Sequence, residues 1–235
     1  MKIEHFKHSL SEGSKSYYSE ARIYEQFSQA EDFPGLVYHF LLPRIRRRIV
    51  LDIGCGTGKY IILFAPFAKK YYGLDVSRAQ LKIARKKAKS LMMLRKVSFL
   101  NSSAEKTGLP DESVDVVLAT WVFGTILDSR RRANAVSEVE RVLKKKGRIY
   151  LVENDVGSEF ESIRGRYPDA RRTKAYALWL EKQGFVVVKK FDSYFKFNSK
   201  MQAYRVIKSI WGSKAASKAK GKMIRHKIAV YSKSK

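Results

Sequence analysis

Val50-Leu51-Asp52-Ile53-Gly54-Cys55-Gly56-Thr57-Gly58 is an apolar run that leads directly into three alternating glycines and then into the helix-like segment 59–68. Val50, Leu51 and Ile53 supply the continuous apolar surface of a parallel strand covered on both faces. The glycines remove Cβ atoms, so the turn can enter dihedrals closed to other residues and a ligand can lie against the backbone. Asp52 is a carboxylate inside this strand. Burying it bare is costly, so it is expected to be hydrogen-bonded or to face a ligand. Strand, glycine turn and helix in this order form the place where nucleotide-like cofactors sit; a tight turn without a ligand is the plainer reading.

Glycine spacing narrows the cofactor. A dinucleotide fingerprint needs G-x-G-x-x-G, and here the glycines fall at 54, 56 and 58 with Lys59 where the third is required. A phosphate loop needs Gly-Lys-Ser/Thr, and Gly58-Lys59 is followed by Tyr60. Both phosphate readings weaken. Residues 70–75 read as a second strand ending in Asp75, whose carboxylate can accept both hydroxyls of a ribose, although a solvated strand-end acid would look the same. A third strand over 96–101 leads into Ser102-Ser103-Ala104-Glu105, and a fourth over 114–120 follows Leu109-Pro110-Asp111-Glu112-Ser113.

These motifs, in this order, resemble the class I S-adenosylmethionine-dependent methyltransferases, in particular the broad group that contains the ubiquinone and menaquinone biosynthesis methyltransferases. The resemblance covers roughly residues 20–155. It implies S-adenosyl-L-methionine as cofactor and S-adenosyl-L-homocysteine as product. It implies that Asp52 and the loop of Gly54, Cys55, Gly56 and Gly58 cradle the methionine part, that Asp75 accepts from the ribose, and that Val76 forms an apolar wall for adenine. Ser103 and Ala104 match the positions that meet the adenine edge, with Ser103 standing where the family usually has an acid. Thr120 and Trp121 match the residues beneath the reactive sulfonium, and Tyr24 matches an N-terminal tyrosine that closes over the cofactor.

Alternating patterns outline the architecture. Small and apolar residues at 135, 136, 139, 142 and 143 mark a helix over 128–143, and 148–153 reads as a fifth strand. A helix over 170–183 stops at Gly184, and 185–197 and 225–232 read as two last strands forming an antiparallel hairpin. The expected fold is α/β, a Rossmann-like doubly wound and mostly parallel seven-stranded sheet, with the ligand at the carboxyl ends of the strands. One domain is expected over 1–235: a helical cap or lid at 1–45, the core at 46–198 and 222–235, and an insertion at 199–221 with a helical half through Trp211. The aromatic spacing of Tyr17, Tyr18, Tyr24 and Phe27 suits core packing or a lid that excludes water.

Composition bounds the partners. The net charge is +26, and basic runs at 44–48, 130–132, 144–146 and 214–222 could contact phosphates, so nucleic acid stays open as a partner. The same residues, spread over many helices, also read as solvated faces, and they would suit a thermophile's surface. No window approaches a transmembrane helix and residues 1–5 lack an apolar signal region, so a cytoplasmic protein without membrane attachment is expected. Cys55, the single cysteine, reads as packing within the loop. No His, Cys, Asp cluster has metal spacing, so no metal is predicted.

The reading at this level is methyl transfer to a small-molecule acceptor, with an RNA or protein acceptor as the alternative and a cofactor-binding protein without transferase activity as a third. An Asn/Asp-Pro-Pro-aromatic run, common after the fourth strand in enzymes that methylate base amino groups, is replaced by Ala119-Thr120-Trp121-Val122. Trp121, Glu153 and Asp155 are the catalytic candidates, the two acids as bases just past the fifth strand or else as ordinary strand-end acids.

Overall fold

The computed structural model describes residues 20–165 and 170–235; Tyr17 and Tyr18 lie outside them. One sheet holds seven strands in the order β3-β2-β1-β4-β5-β7-β6, where β1 is Ile49–Ile53, β2 Lys70–Leu74, β3 Val97–Leu100, β4 Val114–Thr120, β5 Leu143–Asn154, β6 Val186–Lys196 and β7 Met223–Ser234. The described residues divide into two compact units, one of 37–152 with 232–235 and the other of 20–36 with 153–165 and 170–231.

The first unit is the parallel part. β1 pairs with β2 on one side and β4 on the other, with Asp52 level with Gly73 and Leu118. Val50, Leu51 and Ile53 are buried, as an apolar strand covered on both faces requires. Helix α1 (Ala21–Ala30) belongs to the second unit, and α2 (Leu36–Ile45) precedes β1. After the glycine loop comes α3 (Lys59–Phe64), shorter than its periodicity suggests. Pro66 accounts for the difference: it has no N–H to donate to the preceding turn, so the helical ladder stops there although Ala65 still has helical dihedrals, φ −58 and ψ −34. α4 (Arg78–Ser90) starts at Ser77, whose hydroxyl accepts from the Gln80 amide at 3.3 Å. α5 (Ser129–Val142) starts at Asp128, which accepts from the Arg131 amide at 3.0 Å. Such side-chain caps satisfy amides that the first helical turn leaves without partners.

β5 starts at Leu143, five residues before the expected strand, because residues 144–147 loop out of its pairing with β4. β7 runs antiparallel to β5, with bonds from the Lys235 amide to the Gly147 carbonyl at one end and from the Asp155 amide to the Lys227 carbonyl at the other.

The second unit packs α1, α6 (Glu159–Ile163), α7 (Arg171–Lys182), β6, α8 (Lys200–Trp211), α9 (Ser213–Ala216) and most of β7. Its core gathers Phe27, Phe160, Phe195, Phe197, Val206 and Ile207. The rings of Phe27 and Phe195 stack at 4.9 Å, and Phe160 sits 4.4 Å from Phe195. Tyr24 is half-buried against this cluster, and Phe27 lies within it, the outcome that core packing of the aromatic stripe predicts. Between β6 and β7, α8 turns an apolar face inward, with Ala203, Val206, Ile207 and Ile210 buried. Among the described residues, no helix is long and apolar enough to cross a membrane.

Candidate active site at the carboxyl ends of the parallel strands

Asp52, the glycine loop, Asp75, Val76, Ser103, Ala104, Thr120 and Trp121 all follow or end the parallel strands β1 to β4 of the first unit. The strands deliver them because each runs in the same direction, with α3 crossing from β1 to β2, α4 from β2 to β3, and the helix-free segment 101–113 from β3 to β4. Tyr24, Glu153 and Asp155 belong to the second unit.

The loop is held by its own packing. Gly54 has φ +66, and a Cβ there would stand 2.3 Å from a methyl of Val122; Gly58 has φ +81, and a Cβ there would stand 2.9 Å from Cβ of Ala84 in α4. At both positions the missing side chain makes room for protein, not for a ligand. The Cys55 amide donates to the Leu74 carbonyl at 3.0 Å, tying the loop to the end of β2. Cys55 is buried, and burial pushes its thiol well above the usual range, which leaves it a packing residue.

Two carboxyl groups converge on the loop. Asp75 accepts from the Gly56 amide at 2.9 Å and from the Ser77 amide at 2.8 Å, so one side chain links the loop to the cap of α4. Burial pushes its carboxyl up to about 6, with the Ser77 and Gly56 amides opposing the rise. Asp52 accepts from the Tyr71 hydroxyl at 3.0 Å through one oxygen. Burial pushes its carboxyl up to about 8; the Tyr71 bond pulls it down and the charge of Asp75 adds to the rise. Its other oxygen, Oδ1, is buried with no hydrogen-bond partner among the described residues, and so is the Thr57 hydroxyl. Buried polar atoms in native proteins are almost always satisfied, so this pair points to a ligand that brings polar hydrogens.

The remaining residues form fixed walls. The Asn101 side-chain amide donates to the carbonyls of Asp75 and Val76 at 3.0 and 3.1 Å, holding the turn after β2. The Ser103 carbonyl accepts from the Lys106 amide at 3.1 Å, and Ala104 is buried. Arg131 forks onto Glu105 at 2.6 and 3.0 Å. Glu138 accepts from the amide and hydroxyl of Thr107 at 2.7 Å each, and from two Arg141 nitrogens at 2.8 Å each. The Arg141 bonds, then those from Thr107, hold the Glu138 carboxyl down at about 2. Trp121 adopts φ +56, an uncommon state for a bulky side chain. Its amide donates to the Val152 carbonyl at 2.7 Å, and its ring stacks on Tyr60 at 6.5 Å.

Residues 51–151 match the methyltransferase-domain family. This segment is similar to methyltransferase domains. A Bacillus subtilis (strain 168) protein described as an uncharacterized methyltransferase, YcgJ, is 31% identical to the chain over 157 residues, which are 65% of this chain and 60% of that protein. The ubiquinone/menaquinone biosynthesis C-methyltransferase UbiE of Escherichia coli O1:K1 / APEC is 26% identical over 111 residues, 46% of this chain and 43% of that protein. The chain thus spans less than two thirds of either relative. The crystal structure of YcgJ shares the fold, with a TM-score of 0.63 at 19% identity over 84% of this chain and 97% of that one.

The match to methyltransferase domains implies S-adenosylmethionine, and the residues present fit it. Asp52 Oδ1 and the Thr57 hydroxyl offer buried acceptors where the motif expects the amino-acid end of the cofactor. Sequence reasoning missed Thr57, Tyr60, Tyr71 and Asn101. Thr57 stands inside the quoted motif and was within reach, whereas the other three act through neighbours brought by folding. The base candidates are engaged: Glu153 accepts from the Tyr176 hydroxyl at 2.9 Å, and Asp155 pairs with Lys190 at 2.9 Å. Among the described residues, no group of acids, histidines and cysteine could hold a metal ion.

Proposed function

We propose that the protein transfers the methyl group of S-adenosylmethionine to a small-molecule acceptor. The observation that carries the reading is the buried Asp52 oxygen without a protein partner beside the glycine loop, which a cofactor ammonium would complete. In this reading Asp52 and the loop of Gly54, Cys55, Gly56 and Gly58 take the methionine part. Asp75 accepts the ribose hydroxyls through the lone pairs its two amide bonds leave over. Val76 flanks the adenine, and Ser103 and Ala104 meet its edge. Thr120 and Trp121 lie under the sulfur.

The bound cofactor supplies a methyl group on an already activated leaving group. The protein's share is then alignment and exclusion of water. Trp121, fixed by its backbone bond and by stacking on Tyr60, supplies a rigid aromatic wall for a flat acceptor. Glu153 or Asp155 would take a proton where the acceptor carries one, after giving up its present partner. The ubiquinone/menaquinone biosynthesis relative supports an acceptor of small size. The charge of +26 favours RNA as the second reading.

Two experiments separate these. Asp75→Ala should weaken S-adenosylmethionine binding measured by calorimetry, and unchanged affinity sinks the ribose assignment. Labelled S-adenosylmethionine incubated with separated RNA, protein and metabolite fractions of the source cell should mark the metabolites; label confined to RNA or protein refutes the small-molecule acceptor.

A further inference from the structure

Two basic runs that are far apart in the chain meet at the amino ends of the parallel strands. Arg44 and Arg48 precede β1, and Lys144, Lys145, Lys146 and Arg148 lie in the first half of β5. Together with Asp115 they line a recess of about 300 Å³. Six cations against one carboxylate leave a formal charge of +5 on it.

The backbone builds this recess locally. Val114 pairs with Leu143 and Val116 with Arg148, so four residues of β5 bulge out opposite Asp115 alone. The bulge depends on Lys146 at φ +65 and on Gly147, where a Cβ would stand 2.7 Å from the Leu143 side chain and 2.8 Å from the Lys144 carbonyl oxygen. Asp115 ties the two runs together: it accepts from the Ile49 amide at 2.7 Å, beside Arg48, and from the Lys144 ammonium at 3.0 Å. Among the described residues, Arg48, Lys145, Lys146 and Arg148 make no ion pair and are exposed, and the one acid lining the recess, Asp115, is already bonded to Lys144. Holding like charges together costs stability in the absence of a counter-charge, and a strained turn kept for the purpose points to a ligand.

We propose that this recess binds closely spaced phosphate groups. Its volume equals that of about ten water molecules in the liquid, room for two or three phosphates but not for a folded partner. Lysines and arginines in one concave surface suit a tetrahedral anion with several acceptor oxygens. β1 separates the recess from the glycine loop by roughly 20 Å of extended chain, so phosphates bound in the recess lie away from the reacting atoms near Trp121. The site stands independently of the methyl-transfer reading.

Phosphates at this spacing occur in a nucleic-acid backbone and in free oligophosphates. Calorimetry with inorganic tripolyphosphate and fluorescence anisotropy with a short single-stranded RNA bearing a 5′-hydroxyl, both near physiological salt, distinguish the two sources. Lys145→Glu/Lys146→Glu should weaken binding about a hundredfold, since each charge-assisted contact is worth roughly a factor of ten. Lys82→Glu/Lys86→Glu, an equal change of charge on the exposed face of α4, should weaken it less than about threefold. Loss with tripolyphosphate alone assigns the recess to free oligophosphate, and loss with RNA assigns it to the phosphodiester backbone. Equal losses in both variants, or no binding of either ligand to the wild type, overturn the proposal. Lys145→Ala/Lys146→Ala repeats the test with a smaller expected loss should the glutamates prevent folding, and S-adenosylmethionine binding should be the same in every variant.

Discussion

Asp52→Asn isolates a buried ionisation. In the wild type the Asp52 carboxyl is held at about 8, against 3.8 for an ordinary aspartate. Each tenfold change in an acid constant is worth about 1.4 kcal/mol, so the folded protein pays about 6 kcal/mol to ionise this side chain. The sign follows from proton counting. Between pH 3.8 and about 8 the folded state keeps a proton that the unfolded chain has released, so stability falls as pH rises through that window. Asparagine keeps the size and an oxygen for Tyr71 but has no proton to lose. In urea denaturation at several values between pH 5 and 8, the wild type should lose about 1.4 kcal/mol per pH unit relative to Asp52→Asn.

Cofactor binding gives the complementary measurement. If the ammonium of S-adenosylhomocysteine pairs with ionised Asp52, binding at pH 7 must expel about one proton, and affinity must rise about tenfold per pH unit from 6 to 8. Above that range the ligand's own amino group begins to lose its proton and the gain stops. Calorimetry in two buffers of different ionisation heat counts the proton directly. Asp52→Asn should release none and bind at least about tenfold more weakly at pH 8. Parallel stability profiles for the two proteins would refute the buried ionisation, and proton-free binding by the wild type would refute its pairing with the cofactor.

Two further perturbations test the frame around the site. Gly54→Ala combines a left-handed dihedral with a clash against Val122, and should cost about 3 kcal/mol and lower Tm by about 10 °C in calorimetric melting; adding Val122→Ala should recover part of the loss, and an unchanged Tm for the single variant would mean the loop is not so packed. Glu138→Gln removes the acceptor that holds Thr107 and Arg141; because the folded carboxyl sits near 2 and the ordinary value is 4.5, the wild-type advantage of about 2 kcal/mol should be present above pH 4.5 and fade as pH falls toward 2, where denaturation curves of the two proteins should converge.

What could be read from the chain was whatever lies close together in it. Val50 to Gly58 specifies a buried strand and a glycine turn through local chemistry: apolar side chains in succession, then residues free to take positive φ. Strand β4 falls on residues 114–120 as the pattern predicts, and the order of alternating elements was enough for a mostly parallel sheet with an antiparallel end. Local pattern was weaker where a contact from another strand or a single proline intervened, as at the end of α3 and the start of β5.

The tertiary structure decided what depends on burial and on partners distant in sequence. Asp52 is an ordinary aspartate until Tyr71 and Asp75 are placed around it and water is removed, and only then does its carboxyl rise to about 8. Gly54 looked like space for a ligand, and the fold gives that space to Val122. The basic runs at 44–48 and 144–146 resembled solvated faces along the chain, and parallel pairing of β4 with β1 and β5 brought them into one recess. Sequence period records which side of an element faces the core; electrostatic energy depends on distance and dielectric, and both of these exist only after the strands have paired.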